Sequence, residues 1–384
     1  MLKLITIIGA RPQIIKSAAI SRAIKNHFQS DIEEYIIHTG QHYDENMSEV
    51  FFEEMEIPKP YINLQIGSGS HAQQTAGMMN ALEKHLQEIQ ADALLIYGDT
   101  NSTIAAALTC SKIGIPVIHV EAGLRSFNKS MPEEINRILS DHVSTLLFCP
   151  TQTAVENLKK EGFDLNIKYP SNIDNPSVYH CGDIMYDNSM FFSQKAMEQS
   201  SILQKLQLNS DEFILATIHR NNNTDINERL VSIVEIFLHL VETYSYKIVF
   251  PIHPRTQKNF SENLPKELWN KFSTHPKIIC IPPAGFLDMI QLERNAKYIV
   301  TDSGGVQKES YFFKKPCFIL RSETEWVEIV TNGNAVVCDV NKDLFFNSFQ
   351  YFEKNQNLTY PPFFGDGKAA DFIVQEIVKQ LKKC

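Results

Sequence analysis

The chain has 384 residues, 43% of them hydrophobic and 21% charged, with a formal net charge of −9. At roughly 150 residues per domain this length predicts two domains, and the apolar fraction excludes a disordered chain. No apolar run approaches the roughly 18 residues that cross a bilayer, the N-terminus lacks a signal-peptide core, and the acidic balance argues against a sequence-independent nucleic-acid binder, so the expectation is a cytoplasmic protein with no nucleic-acid or membrane partner.

The seven cysteines are scattered singly, at 110, 149, 181, 280, 317, 338 and 384. There is no C-x-x-C and no Cys/His cluster at zinc spacing, which predicts free buried thiols and no metal.

Short apolar runs recur along the chain. In the first half they are Leu4–Ile8, Tyr35–Ile37, Leu94–Tyr97, Val117–Val120 and Leu146–Phe148. In the second half they include Phe213–Ala216, Lys247–Phe250, Ile278–Ile281, Tyr298–Val300 and Cys317–Leu320. Each has the length of a strand and is apolar throughout, the pattern of parallel strands covered on both faces by helices. Helical stretches lie between them. Met78, Met79, Leu82, Leu86 and Ile89 fall at helical spacing, and Thr153-Ala154-Val155-Glu156 reads as a capping box whose helix stops at Gly162.

Alternating strands and helices predict an α/β fold of two Rossmann-like, doubly wound domains facing a cleft. The turn-rich segment Tyr169–Pro176 suggests the boundary: residues 1–172 form the first domain, completed by a C-terminal helix within 366–384, and residues 173–365 form the second.

Ligands of open α/β sheets bind outside the carboxyl ends of the strands. The residues at the end of each run are therefore informative. The first run leads into Gly9-Ala10-Arg11-Pro12-Gln13 with Lys16 one turn on, the second into His38-Thr39-Gly40-Gln41-His42, and the third into Gly98-Asp99-Thr100. Later runs lead into Glu121-Ala122-Gly123, His219-Arg220, His253-Pro254-Arg255 and Asp302-Ser303-Gly304-Gly305. A lone Asp or Ser at such a place is usually a helix N-cap; together they predict a ligand site. Ser303-Gly304-Gly305 before a helix suits an anion, with Arg11 and Lys16 supplying charge. Gly9-Ala10-Arg11-Pro12 is not G-x-G-x-x-G, and no P-loop is present, so NAD binding and ATP hydrolysis are disfavoured. Asp99, Glu121 and the Glu133-Glu134 pair suit proton transfer on a nucleotide sugar.

These residues, in this order and spacing, resemble the non-hydrolysing UDP-N-acetylglucosamine 2-epimerases over essentially the whole chain. The resemblance rests on Gly9–Pro12, His38–His42, Gly98–Thr100, His119–Arg125, Pro132–Arg137, His219-Arg220 and Thr301–Glu309. It implies a GT-B arrangement, a homodimer, no cofactor, and a role in bacterial surface polysaccharide synthesis. It further implies elimination of UDP to a 2-acetamidoglucal, then re-addition on the other face. Asp99, Glu121 and Glu133 match the family's catalytic acids, base and acid unassigned, and His219 matches a histidine beside the diphosphate. Arg11, Ser303, Gly304 and Gly305 match diphosphate contacts, Glu309 the residue holding the ribose hydroxyls, and Phe286 a position near uracil. Arg137 and His253 match further substrate-region positions. Gln41 and His42 match part of a regulatory site, or merely shape the cleft floor.

The sequence departs from the common family pattern at Ala10, Gln13, Asn221–Asn223, Lys308 and Trp326. Arg11-Pro12-Gln13 and Thr324-Glu325-Trp326 resemble a branch that includes epimerases of UDP-2,3-diacetamido-2,3-dideoxyglucuronic acid. The expected substrate remains UDP-N-acetylglucosamine, ahead of that one. A hydrolysing epimerase, a GT-B glycosyltransferase and a non-catalytic sugar-nucleotide sensor are the competing readings.

Overall fold

The computed structural model describes residues 1–41, 52, 55–167, 169–244 and 246–381. They divide into two compact units, Met1–Asn188 with Pro362–Cys384, and Ser189–Pro361.

The first unit is built on a parallel sheet of β1 (Leu2–Ile8), β2 (Ile32–His38), β3 (Ile62–Asn63), β4 (Ala93–Tyr97), β5 (Val117–Val120), β6 (Leu146–Cys149) and β7 (Ser177–His180). Its order is β3-β2-β1-β4-β5-β6-β7. Every residue of β4 is buried, as the unbroken apolar run requires of a strand covered on both faces. Helices α1 (Arg11–Ala23), α2 (His71–Ile89), α3 (Asn101–Lys112), α4 (Pro132–His142) and α5 (Gln152–Lys160) connect the strands. The aliphatic core joins Ile5, Ile7 and Leu94 of the sheet to Met78, Leu82 and Leu86 of α2.

The second unit repeats the plan with β8 (Phe213–Thr217), β9 (Lys247–Pro251), β10 (Ile278–Ile281), β11 (Tyr298–Thr301), β12 (Cys317–Ile319) and β13 (Ala335–Val337), in the order β10-β9-β8-β11-β12-β13. Its core mixes aliphatic side chains with aromatic ones that include Phe237, Phe250, Phe260, Phe318 and Phe349. Both sheets follow the Rossmann order, and in each the direction of winding reverses beside the first strand. The switch points lie between β1 and β4 and between β8 and β11.

Two sequence expectations are corrected. The segment 169–176 does not end the first unit: it leads into β7, which pairs with β6 in the register Leu146↔Ser177. The division falls instead at Asn188, within α6 (Ile184–Gln199), and the chain returns to the first unit at Pro362. The last helix of that unit, Ala369–Leu381, lies against α1. At α5, Thr151 is the N-cap and accepts from Ala154 N, two residues before the expected box. Gly162, at φ +96°, lies just past the helix end.

Candidate active site

At the switch point of the first unit, β1 leads into Gly9. A Cβ there would come within 2.2 Å of both Ser102 Oγ and Thr39 Oγ1, so only glycine fits. Arg11 opens α1, and Gln13 completes its first turn. Gln13 Oε1 accepts from Gly9 N (2.9 Å) and Ala10 N (3.2 Å), while its amide donates to Tyr97 O (3.0 Å) and Thr103 Oγ1 (3.1 Å). This fully bonded, buried amide ties the β1 loop to the end of β4. A charged carboxylate cannot donate to Tyr97 O, which accounts physically for glutamine here.

One turn on, Lys16 Nζ meets Glu121 Oε1 at 2.5 Å, and both side chains are nearly buried. Gly98 leaves room for that pair: a Cβ on it would lie 3.3 Å from Lys16 Nζ and 3.4 Å from Glu121 Oε1. Glu121 itself stands at φ +71°, a strained region for a non-glycine residue, held by its N–H on Phe148 O. The expected anion contact Lys16 thus has its ammonium on a catalytic candidate.

Asp99 is paired with Arg137, whose other nitrogen donates to Glu134 at 3.0 Å. Asn136 Nδ2 donates to Asp99 O at 2.9 Å. Helix α4 therefore latches onto the loop after β4 through two successive residues. Glu134 is 1% exposed and accepts from Ser126 N and Phe127 N. Its neighbour Glu133 is exposed in the first turn of α4. Of the acidic pair, Glu134 carries a structural role and Glu133 offers its carboxylate to solvent.

Beneath these groups runs a buried chain that the sequence reading missed. His119 Nδ1 lies 2.7 Å from Asp141 Oδ1 and Nε2 2.8 Å from Gly98 O. Each ring nitrogen thus faces an oxygen, one from a side chain and one from the main chain. Asp141 also accepts from Gly123 N and Arg125 Nη1. Burial opposes its charge, but His119 and Arg125 outweigh that and hold its carboxyl below the ordinary range. Gln41 Oε1 accepts from Ser102 N (3.0 Å) and Ser102 Oγ (2.7 Å), occupying the first turn of α3. His42 lies outside the described residues.

At the switch point of the second unit, Asp302 follows β11 fully buried and accepts from His219 N, Arg220 N and Asn223 Nδ2 at 3.0–3.2 Å. His219 Nδ1 lies 3.2 Å from Asp302 Oδ1, and the His219 side chain is 58% exposed. Asp302 thus orients the ring and leaves its Nε2 edge in the open. Burial would raise the Asp302 pKa, but the bonds from His219, Asn223 and Arg220 N–H hold it below the ordinary range.

Ser303 caps the helix Gly304–Phe312. Trp326 Nε1 donates to Gly304 O at 2.9 Å, and Lys308 Nζ lies 4.2 Å from the Trp326 ring centroid. The departures at 308 and 326 are therefore partners in a cation–π contact under the anion loop. Arg321 grips Glu325 with two bonds of 2.9 and 3.0 Å beside it. Glu309 Oε2 lies 4.0 Å from the place of a Cβ on Gly305. Phe286 is 5% exposed and meets Phe192 edge-on, so its ring is a core group. His253 is the N-cap of the helix Pro254–Asn263, accepting from Arg255 N. Among the described residues no group of three or more His, Cys, Asp or Glu is placed to hold a metal ion.

The family model for UDP-N-acetylglucosamine 2-epimerase matches residues 23–378. The chain is 47% identical over 382 residues to a UDP-N-acetylglucosamine 2-epimerase homolog of Methanococcus maripaludis, covering 99% of this chain and all of the relative. It is 43% identical to the UDP-2,3-diacetamido-2,3-dideoxy-D-glucuronate 2-epimerase of Pseudomonas aeruginosa, covering 98% of this chain and all of that one. The crystal structure of Methanocaldococcus jannaschii UDP-GlcNAc 2-epimerase in complex with UDP-GlcNAc and UDP is similar, with a TM-score of 0.85 and 39% identity over 98% of this chain and all of that one.

Proposed function

The chain belongs to the UDP-N-acetylglucosamine 2-epimerase family, and from that premise we propose that it interconverts UDP-N-acetylglucosamine and UDP-N-acetylmannosamine for surface polysaccharide synthesis. The observation that carries the reading is the collection of Asp99, Glu121, Lys16 and Arg137 at the first unit's switch point. Two carboxylates, each with a cation, end neighbouring strands there.

The reaction divides by unit. In the second, the N–H groups at Ser303-Gly304-Gly305 hold the diphosphate. His219, oriented by Asp302, stabilises the leaving UDP oxygen. Glu309 holds the ribose hydroxyls. With the Phe286 ring buried, uracil meets the main chain of Gly285-Phe286. In the first unit, the bond from carbon 1 to the UDP oxygen breaks while a carboxylate takes the proton from carbon 2. A carbon 1–carbon 2 double bond forms, giving the 2-acetamidoglucal and UDP. A second carboxyl group then delivers a proton to the opposite face of carbon 2, and the UDP oxygen re-forms its bond to carbon 1. Asp99 and Glu121 are our pair for these transfers. Glu133 is the third acid, at the solvent-facing start of α4. Lys16 serves as counter-charge to Glu121, Arg137 as counter-charge to Asp99, and His253 stays a helix cap.

The same chemistry on the diacetamido-uronic acid nucleotide is the second reading. It is favoured by the Pseudomonas aeruginosa relative and by the Trp326–Lys308 contact beneath the anion loop. Comparing kcat/KM on the two nucleotides decides: at least tenfold in favour of UDP-N-acetylglucosamine supports the first, and the reverse overturns it.

We also propose a cytoplasmic homodimer. No described helix is long and apolar enough to cross a membrane. Phe127, Ile135 and Leu139 are 75%, 45% and 44% exposed, the last two one turn apart on α4, an apolar face suited to a second copy.

A further inference from the structure

The two carboxylates assigned to proton transfer stand on separate loops. Asp99 follows Gly98 after β4, and Glu121 follows β5. Glu121 takes φ +71°, a conformation that its own backbone does not favour. Both loops need a fixed reference, since a misplacement of about 1 Å costs on the order of 100-fold in rate. One fully buried side chain of α4, Asp141, reaches both. Its Oδ1 lies 2.7 Å from His119 Nδ1, and Nε2 of the same buried ring lies 2.8 Å from Gly98 O, the carbonyl just before Asp99. Its Oδ2 accepts from Gly123 N at 3.1 Å, two residues after Glu121, and from Arg125 Nη1 at 2.7 Å. The same helix holds Asp99 separately, through Asn136 on its carbonyl and Arg137 on its carboxylate. Atoms buried this deeply have no solvent to replace a lost partner, so each bond of Asp141 constrains the loop it meets.

We propose that Asp141 is a positioning residue that fixes the two carboxylates relative to each other: one oxygen sets the backbone before Asp99 through the His119 ring, and the other sets the loop after Glu121. This rests on the reading of Asp99 and Glu121 as the proton-transfer pair.

The test is a pair of double-mutant cycles on kcat, with UDP-N-acetylglucosamine as substrate of the full chain. Asparagine has nearly the size of aspartate but a single acceptor oxygen, so Asp141→Asn releases one of the two loops. It lowers kcat at least about tenfold while UDP affinity, read by calorimetry, stays within about twofold. In a Glu121→Gln background the same substitution lowers kcat less than about threefold, because the group it positions is already disabled. His119→Asn gives an independent reading where Asp141→Asn folds poorly: its amide takes the place of Nδ1 beside Asp141 and no longer reaches Gly98 O. It too lowers kcat at least about tenfold, and less than about threefold in an Asp99→Asn background. A loss of equal size with and without the carboxylate is a general structural effect and overturns the assignment. An Asp141→Asn enzyme with near-normal kcat also overturns it and leaves the proton-transfer reading standing. If Asp99→Asn and Glu121→Gln themselves keep near-normal kcat, that reading fails, and this proposal with it.

Discussion

At the residue scale, the proposed chemistry depends on carboxyl groups that are fixed and paired. Asp99 and Glu121 each meet a cation, and each leaves a strand end beside Gly98. Positioned proton transfer of this kind contributes about 10²–10⁴-fold to rate. Asp99→Asn and Glu121→Gln should therefore each lower kcat by at least about 100-fold. UDP affinity, read by calorimetry, should stay within a few-fold, since the diphosphate is assigned to other residues. A variant that keeps near-normal kcat removes that residue from the proton-transfer pair. Asp302 acts through His219. Asp302→Asn should lower kcat by about 100-fold by releasing the ring. It should also change acid stability. A carboxyl held below its unfolded value stabilises the fold above about pH 4, and that contribution is lost as pH falls through the folded value. Melting temperature should thus fall less between pH 6 and pH 3 in Asp302→Asn than in the wild type; equal slopes would contradict the linkage.

Legibility at this scale depends on position. Residues after a strand, such as Asp99, Glu121 and His219, stand out because the parallel-sheet geometry gives strand ends their meaning. Asp302 is visible in the same way, within the Thr301–Glu309 motif, but nothing in the sequence sets it apart from its neighbours as a site residue. His119 and Asp141 lie inside a strand and a helix, where a polar residue looks like any other until its buried partner across the fold is known. Phe286 and His253 show the converse: both fit the pattern of a site, and packing or capping occupies their side chains.

At the element scale, strands are legible from apolar runs and boundaries are not. Turn-formers at 169–176 mark a connection with the same residues that a domain linker uses. Only the pairing of β7 with β6 distinguishes them. The return of the chain to the first unit is fastened by Asp187, on α6, which accepts from Ala370 N at 2.8 Å at the start of the last helix. Burial, more than the helix N–H groups can offset, raises its carboxyl from 3.8 to about 6. The folded state therefore holds this proton more tightly than the unfolded chain. That contribution is complete below about pH 4 and is lost as pH rises towards 6, a change on the order of 3 kcal/mol. Asp187→Asn cannot titrate. The stability of the wild type relative to Asp187→Asn, measured by denaturant titration, should decline between pH 4 and pH 6 and be constant above. A flat difference over that interval would show that Asp187 does not titrate there.

At the scale of the whole molecule, both sheets repeat one strand order, and the residues proposed for the reaction lie at the switch point of each. That repetition is foreseeable as fold class but not as sequence, because the two cores use different side chains, the buried cluster of the first being aliphatic and that of the second adding many aromatic rings. Assembly depends on surface rather than pattern. Light scattering should give twice the mass of the chain, and Ile135→Glu with Leu139→Glu should give the monomer; a monomeric wild type would remove the dimer. The central claim is that carbon 2 loses and regains a proton while UDP departs and returns. Proton NMR of the chain with UDP-N-acetylglucosamine in deuterated water, without added cofactor or acceptor, tests it directly. The predicted result is UDP-N-acetylmannosamine carrying deuterium at carbon 2. Product with the original hydrogen at carbon 2, or free N-acetylmannosamine beside UDP, would contradict it.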